Sequence, residues 1–213
     1  MKKNFTKIVF ILDASGSMCH LRDDTIGGFN AMIEEQKGQP GTVSVTTVLF
    51  DTEVSILHDN VPLEAMEPLT RNDYCPRGGT ALLDAVGGTI DVVGEELAAL
   101  PEEERPDKVL FIITTDGQEN ASRAFSKEMV QQRIHHQQSK YNWRFIFLGA
   151  NIDAVSTGAS LGFGSGYSKT YTATQIGTES VYRAMSKTIT TARSADSMTT
   201  LDAAINTCLN EVQ

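Results

Sequence analysis

The sequence predicts an α/β fold of three layers: a doubly wound, mostly parallel six-stranded sheet with one antiparallel edge strand and helices on both faces. Three observations predict it. The apolar runs within residues 8–12 and 108–115 lack the alternation of a half-exposed strand and read as strands buried on both faces, as in a parallel sheet. Strand-like runs alternate along the chain with segments of helical period, which implies helices packed on both sides of such a sheet. Segments 43–50 and 53–57 are separated by only Asp51-Thr52, and so short a link forces an antiparallel pair, placed at the edge.

The first run, Ile8 to Leu12, stops abruptly at Asp13-Ala14-Ser15-Gly16-Ser17-Met18. In an open α/β sheet, ligands bind in the crevice beyond the carboxyl ends of the strands, so Asp13, Ser15 and Ser17 fall where this architecture puts its sites. An Asp-x-Ser-x-Ser turn aims three oxygens at a common point, and oxygen donors without sulfur or imidazole suit a hard cation such as Mg²⁺. Ile26, Phe29, Met32 and Ile33 then mark one face of a helix over residues 22 to 37, ended by Gly38-Gln39-Pro40-Gly41.

Residues 60 to 79, with Pro62, Pro68 and Pro76, read as a long loop over the site face that ends in Arg77-Gly78-Gly79-Thr80. Its glycines allow a close turn. Thr80 stands near the start of a helix carrying Leu83, Val86, Ile90, Val93, Leu97 and Leu100, where it serves either as a helix cap or as a ligand. The buried run at 108–115 stops at Asp116-Gly117, a pair common in plain turns. The first and fourth strands of such a sheet emerge side by side where strand order reverses, so Asp13 and Asp116 should face one crevice.

Further on, Ser126 is the expected cap of a helix with a thin apolar stripe of Met129, Val130 and Ile134, whose His135-His136 pair reads as solvated surface. Residues 143 to 149 form the next strand, 154 to 161 a short helix and 167 to 172 a last strand. Gly162 to Gly166 lacks the Gly-Lys-Ser/Thr ending of a phosphate loop and reads as a turn. Two helices close the chain, 174 to 193 and a second with Leu201, Ile205, Cys208, Leu209 and Val212 on its stripe.

Composition narrows the function. With 213 residues the chain suits one domain with a terminal extension, and its net charge of -9 with no basic patch argues against nucleic acid. No stretch approaches the roughly 18 apolar residues of a membrane span. The first apolar run ends at Asp13 without a small-residue cleavage pattern, so it is read as a strand rather than a signal peptide. Cys19, Cys75 and Cys208 cannot all pair within one chain and match no zinc spacing, which suits reduced thiols in a cytoplasmic protein.

The Asp13-to-Ser17 turn, the Gly78-Gly79-Thr80 loop and Asp116-Gly117, in that order, resemble the metal-ion-dependent adhesion site (MIDAS) of the von Willebrand factor A family. The resemblance covers about residues 5 to 193 and is to the stand-alone intracellular bacterial type. It implies a Rossmann-like domain over residues 1–194, with 195–213 a C-terminal helical extension packed on the same domain. It also implies that Ser15, Ser17 and Thr80 hold Mg²⁺ or Mn²⁺ directly, while Asp13 and Asp116 act largely through water. Neutral hydroxyls close to the ion would leave it net charge and an open position for a carboxylate. The function implied is a non-enzymatic adaptor that grips an Asp or Glu of a protein partner, an ATPase complex being one partner the resemblance allows.

Two other chemistries compete. A metal-dependent hydrolase or phosphotransferase could use the same cleft, but position 15 is serine where an Asp-x-Asp motif would place a second acid. Ser15 as an acyl-transfer nucleophile lacks the flanking glycines of the elbow pattern, and His20 is the one nearby base. Cys19, His20 and Cys75 could instead join as a soft-metal or redox site.

Overall fold

The computed structural model describes residues 1–164 and 166–212. Ser165, within the glycine-rich segment expected to turn, and Gln213, at the end of the expected extension, lie outside the described residues. Strands β1 (Lys2–Asp13), β2 (Thr42–Phe50), β3 (Val54–Pro62), β4 (Pro106–Thr115), β5 (Arg144–Ala150) and β6 (Ser168–Tyr171) form one sheet in the order β3-β2-β1-β4-β5-β6. Every neighbouring pair is parallel except β2 with β3. Strand order reverses between β1 and β4, as expected.

The helices are α1 (Arg22–Lys37), α2 (Leu82–Ala99), α3 (Lys127–Tyr141), α4 (Ala154–Leu161), α5 (Gln175–Ser194) and α6 (Met198–Leu209). Alternation along β1 assigns them to layers. Ile8, Phe10 and Leu12 pack with Phe29 and Met32 of α1, Val181, Met185 and Ile189 of α5, and Leu201, Ile205 and Leu209 of α6. Val9 and Ile11 pack on the opposite face with Val86, Ile90 and Val93 of α2, Val130 and Ile134 of α3, and Leu161 of α4. Central strands buried on both sides need apolar residues at every position, which is why β1 and β4 show no alternation.

One boundary and one buried stripe differ from expectation. β3 runs on to Pro62, so the long loop begins after it rather than at residue 60. Its His58-Asp59-Asn60 segment reads as loop because it is polar, but an edge strand exposes such residues, and polar groups there discourage pairing with other chains. Met129 is 37% exposed, which leaves Val130 and Ile134 as the buried stripe of α3. Ser126 caps that helix as expected, accepting the Met129 N–H.

α6 belongs to the core. Its buried face merges with that of α5, and Arg144 at the start of β5 forms a two-point ion pair with Asp202, at 2.6 and 3.1 Å, with the Tyr167 hydroxyl donating to the same carboxylate. Among the described residues no helix is long and apolar enough to cross a membrane.

Candidate metal centre

The site is built where β1 and β4 end side by side. β1 carries Asp13 to its last position and then turns through Ser15 into a 3-10 helix, Gly16–Leu21. The Asp13 carboxylate is wholly buried. It accepts the Ser15 N–H at 2.7 Å through Oδ1, which closes the turn, and the Thr115 hydroxyl at 2.5 Å through Oδ2. Burial pushes the Asp13 carboxyl up from its ordinary range, against the pull of the Thr115 and Ser15 donors, and the charge of Asp116 adds to the push. A cation beside it would reverse that balance.

The hydroxyls meet in front of this acid. Ser15 Oγ lies 3.0 Å from Ser17 Oγ, and the Ser17 hydroxyl donates to Asp116 Oδ1 at 2.5 Å. Ser15 is buried while Ser17 is exposed, so the cluster opens to solvent on one side. Gly117 lies beneath: a Cβ there would stand 2.9 Å from Thr80 Oγ1 and 3.7 Å from Ser17 Oγ. Thr80 and Ser17 therefore converge on one small space that only glycine leaves free.

These residues fit a hard divalent cation. Five oxygen-bearing side chains come together, with neither sulfur nor imidazole among them. Among the described residues, no three His, Cys, Asp or Glu side chains cluster to hold a metal, so any ion here depends on the hydroxyls.

Thr80 is no simple cap. The residue before α2 is Ala81, and the first-turn N–H groups of Leu83 and Asp84 are taken by Glu119 and Ser122 from the loop after β4, not by Thr80. The Thr80 backbone is instead clamped to the loop after β4: its N–H donates to Asn120 Oδ1 at 2.8 Å, and its carbonyl accepts the Asn120 N–H at 3.0 Å. Glu119 reinforces the clamp by accepting the N–H groups of Leu83, Ala121 and Ser122. Asp84 answers from the other side, accepting those of Arg123, Ala124 and Phe125. On the β1 side the Gly16 N–H reaches the Gly78 carbonyl at 3.2 Å, and the Arg77 N–H the Ala14 carbonyl at 2.8 Å. Gly78 takes a positive φ of 65° there, which glycine adopts without cost.

Sequence reasoning brought Asp13, Ser15, Ser17, Thr80 and Asp116 to one place, but it missed what holds them. Thr115, next to Asp116, supplies a hydrogen bond to Asp13. Tyr74, buried in the long loop, donates its hydroxyl to the Asp13 carbonyl at 2.5 Å. Burial, together with neighbouring Tyr182 and Asp13, holds that phenol well above its usual pKa. Tyr74 is the one aromatic of a loop that also buries Leu63, Met66 and Leu69, and that was its available signal; the acids Asp84 and Glu119, each facing several backbone N–H groups, left none.

Among the described residues, the other candidates add no side chain to this cluster in any observed contact. His20 Nδ1 sits 2.7 Å from the Ser17 carbonyl with its ring exposed. Cys19 and Cys75 are free and exposed, and Cys208 is free and buried. His136 is exposed and lies edge-on to Tyr141.

No family model matches the sequence, and no curated protein matches it. Solved structures do. Proximal thread matrix protein 1 from the mussel byssus superposes with a TM-score of 0.60 at 13% identity, over 89% of this chain and 49% of its own. The same protein is also known with a zinc occupied MIDAS motif. A von Willebrand factor type A structure from Catenulispora acidiphila gives 0.57 at 13% identity, over 89% of this chain and 43% of its own. The vWF domain of the type V pili tip protein Mfa5 from Porphyromonas gingivalis gives 0.57 at 12%, over 86% and 94%. The chain thus spans about half the length of the first two and nearly all of the third. Strand order, the reversal between β1 and β4 and these superpositions give one conclusion: the chain has the von Willebrand factor A fold.

Proposed function

We propose that this chain is a divalent-metal-dependent protein-binding module. The observation that carries the reading is the convergence of Ser15, Ser17 and Thr80 hydroxyls with Asp116 over Gly117, at an opening to solvent. Ser15, Ser17 and Thr80 would hold Mg²⁺ or Mn²⁺ directly, with Asp13 and Asp116 acting through water. The cation, when bound, supplies a local positive charge and an open position that a partner's carboxylate can fill. Solved structures of proximal thread matrix protein 1 with a zinc occupied MIDAS motif and of manganese-loaded Plasmodium vivax TRAP protein support a divalent ion in this fold.

The chain's own residues do the rest. Buried Asp13 shapes the turn that presents Ser15, and the Asn120 clamp fixes where Thr80 points. A net charge of -9 draws no acidic ligand by the overall field, so recognition of an Asp or Glu has to be local. We read the module as a non-enzymatic adaptor, with residues 1–194 as the binding domain and 195–213 packed on it. An ATPase complex is one assembly it would serve. Three unpaired cysteines favour the cytoplasm.

The test is capture of a partner by immobilised chain in Mg²⁺ and in chelator, followed by a double-mutant cycle. Thr80→Ala and loss of the partner's carboxylate should each remove most of the metal-dependent affinity, and together little more, because both act on one ion. Equal capture in chelator, or costs that simply add, would refute the reading. Hydrolysis of phosphate esters that Ser15→Ala abolishes while metal binding persists would favour the enzyme instead.

A further inference from the structure

The opposite pole of the sheet holds a second concavity. A groove of about 610 Å³ opens between the C-terminal halves of α2 and α3, below the first residues of β4 and β5, within the size range of ligand-binding clefts. It is about 30 Å from the hydroxyl cluster, the length of β4 at roughly 3.3 Å per residue. Its floor is apolar: Ile90, Leu97, Val109 and Trp143 line it, each under 10% exposed.

The rim is acidic. Glu95 and Glu102 are exposed on it, and Asp91 and Asp107 also line it, against the cationic side chains of Arg105 and Lys140. Both helices also end here, α2 at Ala99 and α3 at Tyr141, so the negative ends of two helix dipoles face the groove. Arg105 is turned to the carbonyls of Leu100 and Ala98, at 3.0 and 3.1 Å, and Lys140 lies over the Tyr141 ring at 5.4 Å, so acid exceeds base on the lining and both bases are held by the chain itself.

We propose that this groove is a second docking site, taking a basic amphipathic segment of a partner protein. Apolar side chains of the segment cover the Trp143 floor, while its Lys or Arg side chains meet the exposed Glu95 and Glu102. Charge complementarity selects this occupant, since an acidic or purely apolar segment would leave the rim carboxylates unpaired against it. The chain then has a pole for carboxylates and a pole for cations, and can bridge two partners.

The experiment uses a short fluorescein-labelled peptide of Leu and Lys and its Leu/Glu counterpart, titrated with the full chain at about 0.15 M salt, where charges beyond about 8 Å are screened. Saturable anisotropy is expected for the Leu/Lys peptide alone, in Mg²⁺ and in chelator alike. Trp143 is the sole tryptophan, so its emission should change with the same midpoint. Glu95→Lys with Glu102→Lys should weaken binding about tenfold or more, the scale of close interfacial charge pairs. Gly94→Leu, placed on the α2 wall where a Cβ meets only Gln137 Nε2 at 3.5 Å, should plug the groove to the same effect. Glu179→Lys with Asp196→Lys, exposed acids at the two ends of α5 on the other face, should cost less than about twofold. Equal binding of the Leu/Glu peptide, equal loss in the α5 variant, a silent Trp143, or a chain dimer that Gly94→Leu breaks would each overturn the proposal.

Discussion

Gly117→Ala adds a single methyl group to the floor of the hydroxyl cluster. The new carbon would stand 2.9 Å from Thr80 Oγ1, inside van der Waals contact, so something must move. Thr80 cannot yield cheaply, because it is 2% exposed and its N–H and carbonyl are both held by Asn120. Overpacking of this kind costs about 1–3 kcal/mol, which the variant should show in chelator. The metal response is the sharper readout. Wild type at a hundred times its dissociation constant gains about 2.7 kcal/mol from the ion. For a domain of this size each kcal/mol moves the melting temperature by about 2–4 °C, so Mg²⁺ or Mn²⁺ should raise it by roughly 5–11 °C. Gly117→Ala should lose most of that rise. Gly27→Ala is the control, since a Cβ there meets nothing within 4 Å and alanine suits a helix better. Differential scanning fluorimetry with and without the ion measures both. A Gly117→Ala protein with the full thermal shift would show that the ion, if bound, sits elsewhere.

Three further outcomes are expected. Thr115→Val leaves Asp13 Oδ2 without its donor and should cost about 1–3 kcal/mol in chelator by urea unfolding. Glu96→Gln removes the carboxylate that holds the buried Lys7 ammonium at 2.9 Å, leaving it the neutral Asn60 Oδ1 at 2.8 Å, and should cost about 3 kcal/mol, much of it recovered when Lys7→Met is added. Asp202→Asn tests a pH dependence. Burial works against ionisation of Asp202, but Arg144 and Tyr167 overcome it and hold the carboxyl below its ordinary range. A depressed carboxylate contributes stability above its unfolded pKa of about 3.9 and loses it as pH falls through the folded value. The variant should therefore be less stable by on the order of 1 kcal/mol at pH 7, where a half-exposed pair is screened, and the gap to wild type should close only as pH falls below about 3.9 and through the lowered folded value.

The layers and the site were readable because each rests on a local signal. Uninterrupted apolar runs mark β1 and β4, and a ligand type placed directly after such a run is placed at the sheet's carboxyl edge whatever the rest of the chain does. Asp13 and Asp116 needed only strand order to meet, whereas Thr80 comes in on the loop before α2. The clamp was not readable, because Glu119 reaches the Leu83 N–H 36 residues away and Asp84 reaches N–H groups 39 to 41 residues away, and a backbone donor has no residue type to reveal it. Thr115 was hidden for a related reason: within a buried strand a threonine reads as a β-former, and its hydroxyl matters only once β1 lies alongside. The length of β3 was misjudged because polar residues signal loops in the interior of a sheet but not at its edge.

The pairing of β1 with β4 has a consequence for how the chain reaches its native state. Thr115 and Asp13 are 102 residues apart, and Ser17 and Asp116 are 99 apart. No local folding unit contains both halves of the cluster, and contacts so distant in the chain form late because a long loop must close first. An ion that needs both halves has nothing to hold in the early ensemble. It should therefore leave the refolding rate nearly unchanged and slow unfolding by almost the whole of its stabilisation, as expected for interactions absent from the transition state. The ion would then act as a timer on how long the fold survives each opening.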